Sequence, residues 1–171
     1  MHYAIISILI LATAGPACAQ HDRSGYAGMQ DRAIAALSPE QVADLQEGRG
    51  MGASLPAELN GVPGPLHVLE MKDRLDLTLP QQAAIERIFG SMKSQATRLG
   101  REIIEAETAL DLAFKQSTAN EEAIRSYAST IAALNGRLRA VHLVAHLETK
   151  RLLSSQQVRG YMHARGYETS D

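Results

Sequence analysis

Two histidines four residues apart carry the clearest chemistry in this 171-residue chain, in the segment His142-Leu143-Val144-Ala145-His146. At that spacing both imidazoles lie on one face of a helix, close enough to share a metal ion. No Glu follows the first His, so the segment is not the zinc-protease helix motif. Two ligands do not complete a tetrahedral ion, and further donors are required. The stretch ahead of an earlier capping motif offers His67, Glu70 and Met71. His67 and Glu70 lie eleven and eight residues before Thr78, and His142 and His146 lie twelve and eight before Ser154. In a bundle folded around these two points the segments face each other, and Met92 falls level with His142 if the chain turns near Thr118. Imidazole suits zinc, copper and nickel alike, so these are the ions expected. The plain alternative is a pair of polar residues on a wet helix face, in keeping with Arg139 and Lys150 nearby. His21 and His163 are expected to be surface residues near the termini.

Other chemistries find little support. Cys18 is the single cysteine, which excludes a disulfide framework and a thiolate zinc site. Gly48-Arg49-Gly50-Met51-Gly52 lacks the Gly-Lys-Ser/Thr ending of a phosphate loop and reads as a flexible loop. No Ser/His/Asp set has strand context, and no carboxylate pair can be placed across a cleft, so neither an enzyme nor an organic cofactor is expected. A formal net charge of −2 argues against a nucleic-acid partner attracted by a positive field. Hydrophobic residues at 45% against 21% charged indicate a folded chain. The absence of Trp and the presence of only two Phe disfavour a large aromatic-packed sandwich. The second half is dominated by Ala, Leu, Gln, Glu and Arg, a composition of long helices.

Capping signals place those helices. Ser38-Pro39-Glu40-Gln41 starts one that runs to about Gln46 and stops at Gly48. A Gly/Pro-rich loop follows from Gly48 to Pro65, with a helical turn at Leu55–Leu59, and then a helix over Leu66 to Leu75. Thr78-Leu79-Pro80-Gln81 opens a long helix, Leu79 to Lys115, whose apolar positions recur every three or four residues from Ile85 through Met92, Leu99 and Ile103 to Leu110. After Ser117–Asn120, with Thr118 and Glu121 as the expected cap, a second long helix runs from Glu121 to Leu153 along Ile124, Tyr127, Ile131, Leu134, Leu138, Val141 and Ala145. Each rod extends roughly 50 Å, and so short a link folds them into an antiparallel hairpin. Ser154-Ser155-Gln156-Gln157 caps a last short helix reaching about Met162 and ended by Gly166. Glu148 interrupts the stripe, either pairing with an Arg such as Arg87 or marking where the stripe rotates.

The N-terminus is apolar from Tyr3 to Ala14, too short to span a bilayer as a helix. Gly15-Pro16 breaks it, and Ala17-Cys18-Ala19 fits a signal-peptidase site before Gln20. Residues 1–19 are therefore expected to be a signal peptide, which leaves a mature chain without cysteine and without a stable membrane span.

The segments Leu77-Thr78-Leu79-Pro80-Gln81-Gln82 and Leu153-Ser154-Ser155-Gln156-Gln157 resemble the repeated Leu-Thr-x-x-Gln motif of the Spy/CpxP family of periplasmic proteins. The resemblance spans about Leu66 to Tyr161. Here Leu79 displaces the proline by one residue and Ser154-Ser155 replace Thr-Pro, both changes keeping the capping chemistry. The resemblance implies a small, all-α, hooked four-helix arrangement that dimerises in the periplasm. It divides the chain into an N-terminal extension, 20–65, and a helical domain, 66–166. Relatives include ATP-independent chaperones, a zinc-resistance-associated protein and a nickel/cobalt sensor. The sensor's ligand positions fall here at Val68, Lys72, Ala145 and Thr149, so any metal site in this chain is built differently.

Two expectations follow. One is a non-enzymatic envelope-stress or heavy-metal-response protein that binds a divalent transition metal through His142 and His146, aided by His67 and Glu70. The other is an ATP-independent periplasmic chaperone. A thin hairpin cannot hide both apolar stripes, a homodimer covers part of them, and the remainder holds unfolded envelope proteins.

Overall fold

Three hydroxyl-x-x-Gln boxes set where helices begin. The computed structural model describes residues 24–167, so the expected signal peptide lies outside the described residues. In each box the Ser or Thr side chain accepts from the backbone N–H of the Gln, and the Gln side-chain oxygen accepts from the cap's own N–H. Ser38 thus opens α1, Pro39–Glu47, which ends at Gly48 in the left-handed region (φ 64°). Two short helices come next, α2, Leu55–Glu58, within the Gly/Pro-rich segment, and α3, Pro65–Glu70, at its end. Thr78 opens α4, Leu79–Lys115, and Ser154 opens α6, Ser155–Arg165. Between them runs α5, Glu121–Leu152.

Some expected boundaries move. The helix expected over Leu66 to Leu75 ends at Glu70, and turns carry the chain to the Thr78 cap. The cap of α5 is Asn120, whose side chain accepts from the Ala123 N–H; the Thr118 hydroxyl instead donates to the Ala113 carbonyl. Asn120 reaches the third residue on, which Thr118 cannot do from two residues earlier. The final helix is about a turn longer than its sequence signals suggested. The all-α class and the long hairpin stand: the described residues hold six α-helices, four of them from Pro65 onward, and a 3-10 turn at Met29–Asp31.

The second and third boxes do more than cap. The Gln81 amide donates to the Leu152 carbonyl (2.7 Å) at the end of α5, and the Gln157 amide donates to the Leu75 carbonyl (3.2 Å) ahead of α4. The two amides also face each other, at 3.0 and 3.2 Å. Each glutamine therefore uses its oxygen on its own cap and its nitrogen on the other's, satisfying end groups that no helix bond can reach. Among the described residues Gln41 makes only the local half of this pattern.

Two apolar cores lie along the hairpin. One joins Val68, Leu75, Leu77, Ile85 and Tyr161 beside the glutamine pair. The other joins Ala96, Leu99, Ile103, Leu134 and Leu138 further along the rods, and its remaining member is Leu45 of α1. The N-terminal extension is thus part of the fold, covering the hairpin stripe with one of its own helices. Burying Leu45 contributes about 1.5–3 kcal/mol. The approach is so close that a Cβ on Gly100 would stand 2.0 Å from the Leu45 carbonyl oxygen, so only glycine fits there. Among the described residues no helix is long and apolar enough to cross a membrane.

Candidate metal centre

Between the two cores the stripes of α4 and α5 part around a cavity of about 440 Å³. Its floor is His142 and His146 of α5 with Phe89 and Met92 of α4, and its roof is the loop from Gly48 to Gly52 with α2 and Gly64. The glycine-rich segment that resembled nothing catalytic therefore closes over the histidine pair. Gly50 passes over His142, since a Cβ there would lie 3.5 Å from its Nδ1.

Neither imidazole is on a wet face: His142 is 4% exposed and His146 7%. His146 Nδ1 lies 2.7 Å from the Val62 carbonyl oxygen. A carbonyl only accepts, so Nδ1 carries the proton and Nε2 of the neutral ring carries the lone pair. The Nε2–Cε1 edge lies against Gly64, where a Cβ would come within 2.6 Å of Nε2. That Cβ would stand almost equally close to Cε1, 2.7 Å away, so glycine at position 64 is what lets the loop pack onto the ring. His142 Nε2 is buried without a hydrogen-bond partner. Burial, and to a lesser degree the neighbouring His146, holds the His142 pKa below its ordinary value, which favours the neutral ring.

A third buried group reaches the pair from α2. Glu58 is 6% exposed, accepts a hydrogen bond from the Tyr161 hydroxyl, and has Arg165 Nε 3.4 Å from the same oxygen, Oε1. Its other oxygen, Oε2, is buried without a hydrogen bond and lies 3.8 Å from His146 Nδ1. Burial first, then the bond to Glu58, pushes the Tyr161 phenol up, so it remains a donor. Glu58 therefore ties the N-terminal extension to α6 and places a carboxylate on the protonated side of His146, whose ring is held by the Val62 carbonyl. No local signal hints at this: a lone acid in a Gly/Pro-rich loop reads as solvated.

The other expected donors are only partly drawn in. His67 lines the cavity from α3, but its Nδ1 is 2.9 Å from Glu70 Oε2, and both side chains are well exposed. Glu70 serves His67 and does not line the cavity. Met71 packs against the core beside Tyr161 instead. Met92 lines the cavity, level with the pair as its spacing suggested. His163 is exposed near the C-terminal end of α6, and His21 lies outside the described residues. Glu148 and Arg87 border one shallow groove, with no ion pair between them among the described residues.

For a metal ion the fit is mixed. An orphaned buried Nε2 and a second imidazole with its tautomer fixed favour one. Among the described residues, however, no three His, Cys, Asp or Glu side chains gather where one ion could be held. Compared with known proteins, the chain matches no family model, no curated protein and no solved structure.

Proposed function

We propose that this chain is a non-enzymatic, exported protein of the periplasm that binds a transition-metal ion, zinc, copper or nickel, at His142 and His146. The observation that carries this reading is His142 Nε2, a buried nitrogen without a partner beside a second imidazole whose Nε2 is set free by Val62. Buried polar atoms are nearly always satisfied, and an ion bound at His142 Nε2 would account for one that is not. His67 adds a further nitrogen at the cavity's edge, with Glu70 orienting it. Export rests on the N-terminal sequence, and the resemblance to Spy/CpxP proteins agrees with it.

Calorimetry of the mature chain with each ion tests the reading. One ion per site is expected, lost in the His142→Ala/His146→Ala variant; unchanged affinity in that variant removes the proposal. Mass spectrometry of the periplasmic fraction, showing a chain that begins at Gln20, tests export.

A second reading, an ATP-independent chaperone, is favoured by Leu112, Phe114 and Ile124, which stand exposed at the far end of the hairpin. Exposed Val144 and Leu147 on α5 offer an area that a second copy covers in a homodimer. Suppression of aggregation of a reduced client without ATP or metal is its test, and no suppression at equimolar chain counts against it.

A further inference from the structure

We infer that the ion held here is soft and monovalent, Cu(I) or Ag(I), with the Met92 thioether as third donor beside His142 and His146. The inference rests on the metal-binding reading and narrows it.

The donor count comes first. Among the described residues no three His, Cys, Asp or Glu side chains gather around the two buried imidazoles, His67 being held by Glu70 and Glu58 by Tyr161 and Arg165, so zinc or nickel would have to keep two or more waters. Met51, Leu55, Phe89 and Met92 present apolar side chains to the cavity and offer such waters no hydrogen bonds, while Lys93, Arg49 and Arg165 among its lining residues add positive charge that disfavours a divalent ion. Monovalent d10 ions are satisfied by two or three ligands and favour thioether sulfur.

Met92 meets the requirement. It is 8% exposed, lines the same cavity as both imidazoles, and belongs to neither apolar core. A methionine there only to fill space would be expected within one of those cores. Met51 in the roof offers a second sulfur, on a backbone that a non-glycine residue rarely adopts (φ 45°).

Charge points the same way. Arg49 is paired with Asp44 and Glu47, and Arg165 faces Glu58, so the nearby carboxylates already have cationic partners. Little negative charge remains to offset a divalent ion, and the desolvation cost grows steeply with ionic charge. Two neutral imidazoles and a thioether carry a single charge at much lower cost.

The test is competition of the mature chain against a Cu(I) chelator under reducing conditions, with Ag(I), Zn(II) and Ni(II) titrated in parallel. Cu(I) and Ag(I) are expected to bind one per chain and more tightly than Zn(II) or Ni(II). The volume-conserving Met92→Leu variant is expected to lose about tenfold or more in Cu(I) affinity while any Zn(II) or Ni(II) affinity stays as it was. X-ray absorption of the Cu(I) protein is expected to show a sulfur neighbour that the variant lacks. Unchanged Cu(I) affinity in Met92→Leu overturns the inference, as does a clear preference for Zn(II) or Ni(II) dependent on His142 and His146, which leaves the broader reading standing. If no ion binds, both fall.

Discussion

His142 shows how one buried nitrogen links stability to function. Because burial depresses its folded pKa below 6.5, the unfolded chain takes up the proton more readily than the folded one between those two values. Stability therefore rises with pH across that range. The contribution is present above the ordinary value and lost as the pH falls through the depressed one. Metal-free protein is expected to melt at lower temperature at pH 5 than at pH 7.5. His142→Gln is expected to flatten that dependence, as thermal melts at the two pH values will show; an equally steep dependence in the variant would assign it to other groups. The spacing of His142 and His146 was legible in the sequence because helical periodicity fixes which residues share a face. Their burial was not legible. It depends on where Gly50, Glu58 and Gly64 come to lie, and no local rule brings those residues across α5.

Among the elements, the hydroxyl-x-x-Gln boxes were the surest guide, and they placed the starts of α1, α4 and α6 correctly. A capping box is a local device, so sequence is enough to find it. What the box does with its spare amide hydrogens is long-range, and the clasp between Gln81 and Gln157 could not be read from either copy alone. Replacing either glutamine by Leu frees a cap N–H and a carbonyl at the other cap, with an expected cost of about 1–3 kcal/mol. Gln41→Leu removes only the local bond and is expected to cost less. A double-mutant cycle in urea on Gln81 and Gln157 is expected to give a coupling energy of at least about 0.5 kcal/mol; additive effects would show that the two caps act independently. Asn120 in place of Thr118 as the cap of α5 is a smaller lesson: both residue types cap well, and position relative to the first free N–H decides between them.

For the whole molecule, the main surprise is the N-terminal extension. Its Gly/Pro content suggested a loop of no assigned role, yet it supplies Leu45 to one core and the roof of the cavity. The glycine that permits this is Gly100, inside α4, where glycine by itself only lowers helix propensity. Gly100→Ala would drive a methyl against the Leu45 carbonyl and lift α1 from the hairpin. The expected result is a loss of about 1–3 kcal/mol in urea unfolding, with increased binding of a hydrophobic dye. An unaltered midpoint would mean that α1 shifts without penalty.

The glutamine clasp also has a mechanical corollary. It pins both long rods at one end, while their opposite end carries only the short link through Ser117–Asn120. With the clasp at one end, the link at the other and the core of Leu99, Ile103, Leu134 and Leu138 between them, the rods move as a single beam: over the 37 residues of α4, ~55 Å, a tilt of about 5° at the clasp displaces the linked tip by roughly 5 Å. A shift at the clasp end, where the imidazoles also sit, would then swing Leu112, Phe114 and Ile124 together against the shorter helices, so that an occupant of the cavity could be sensed far from where it is held.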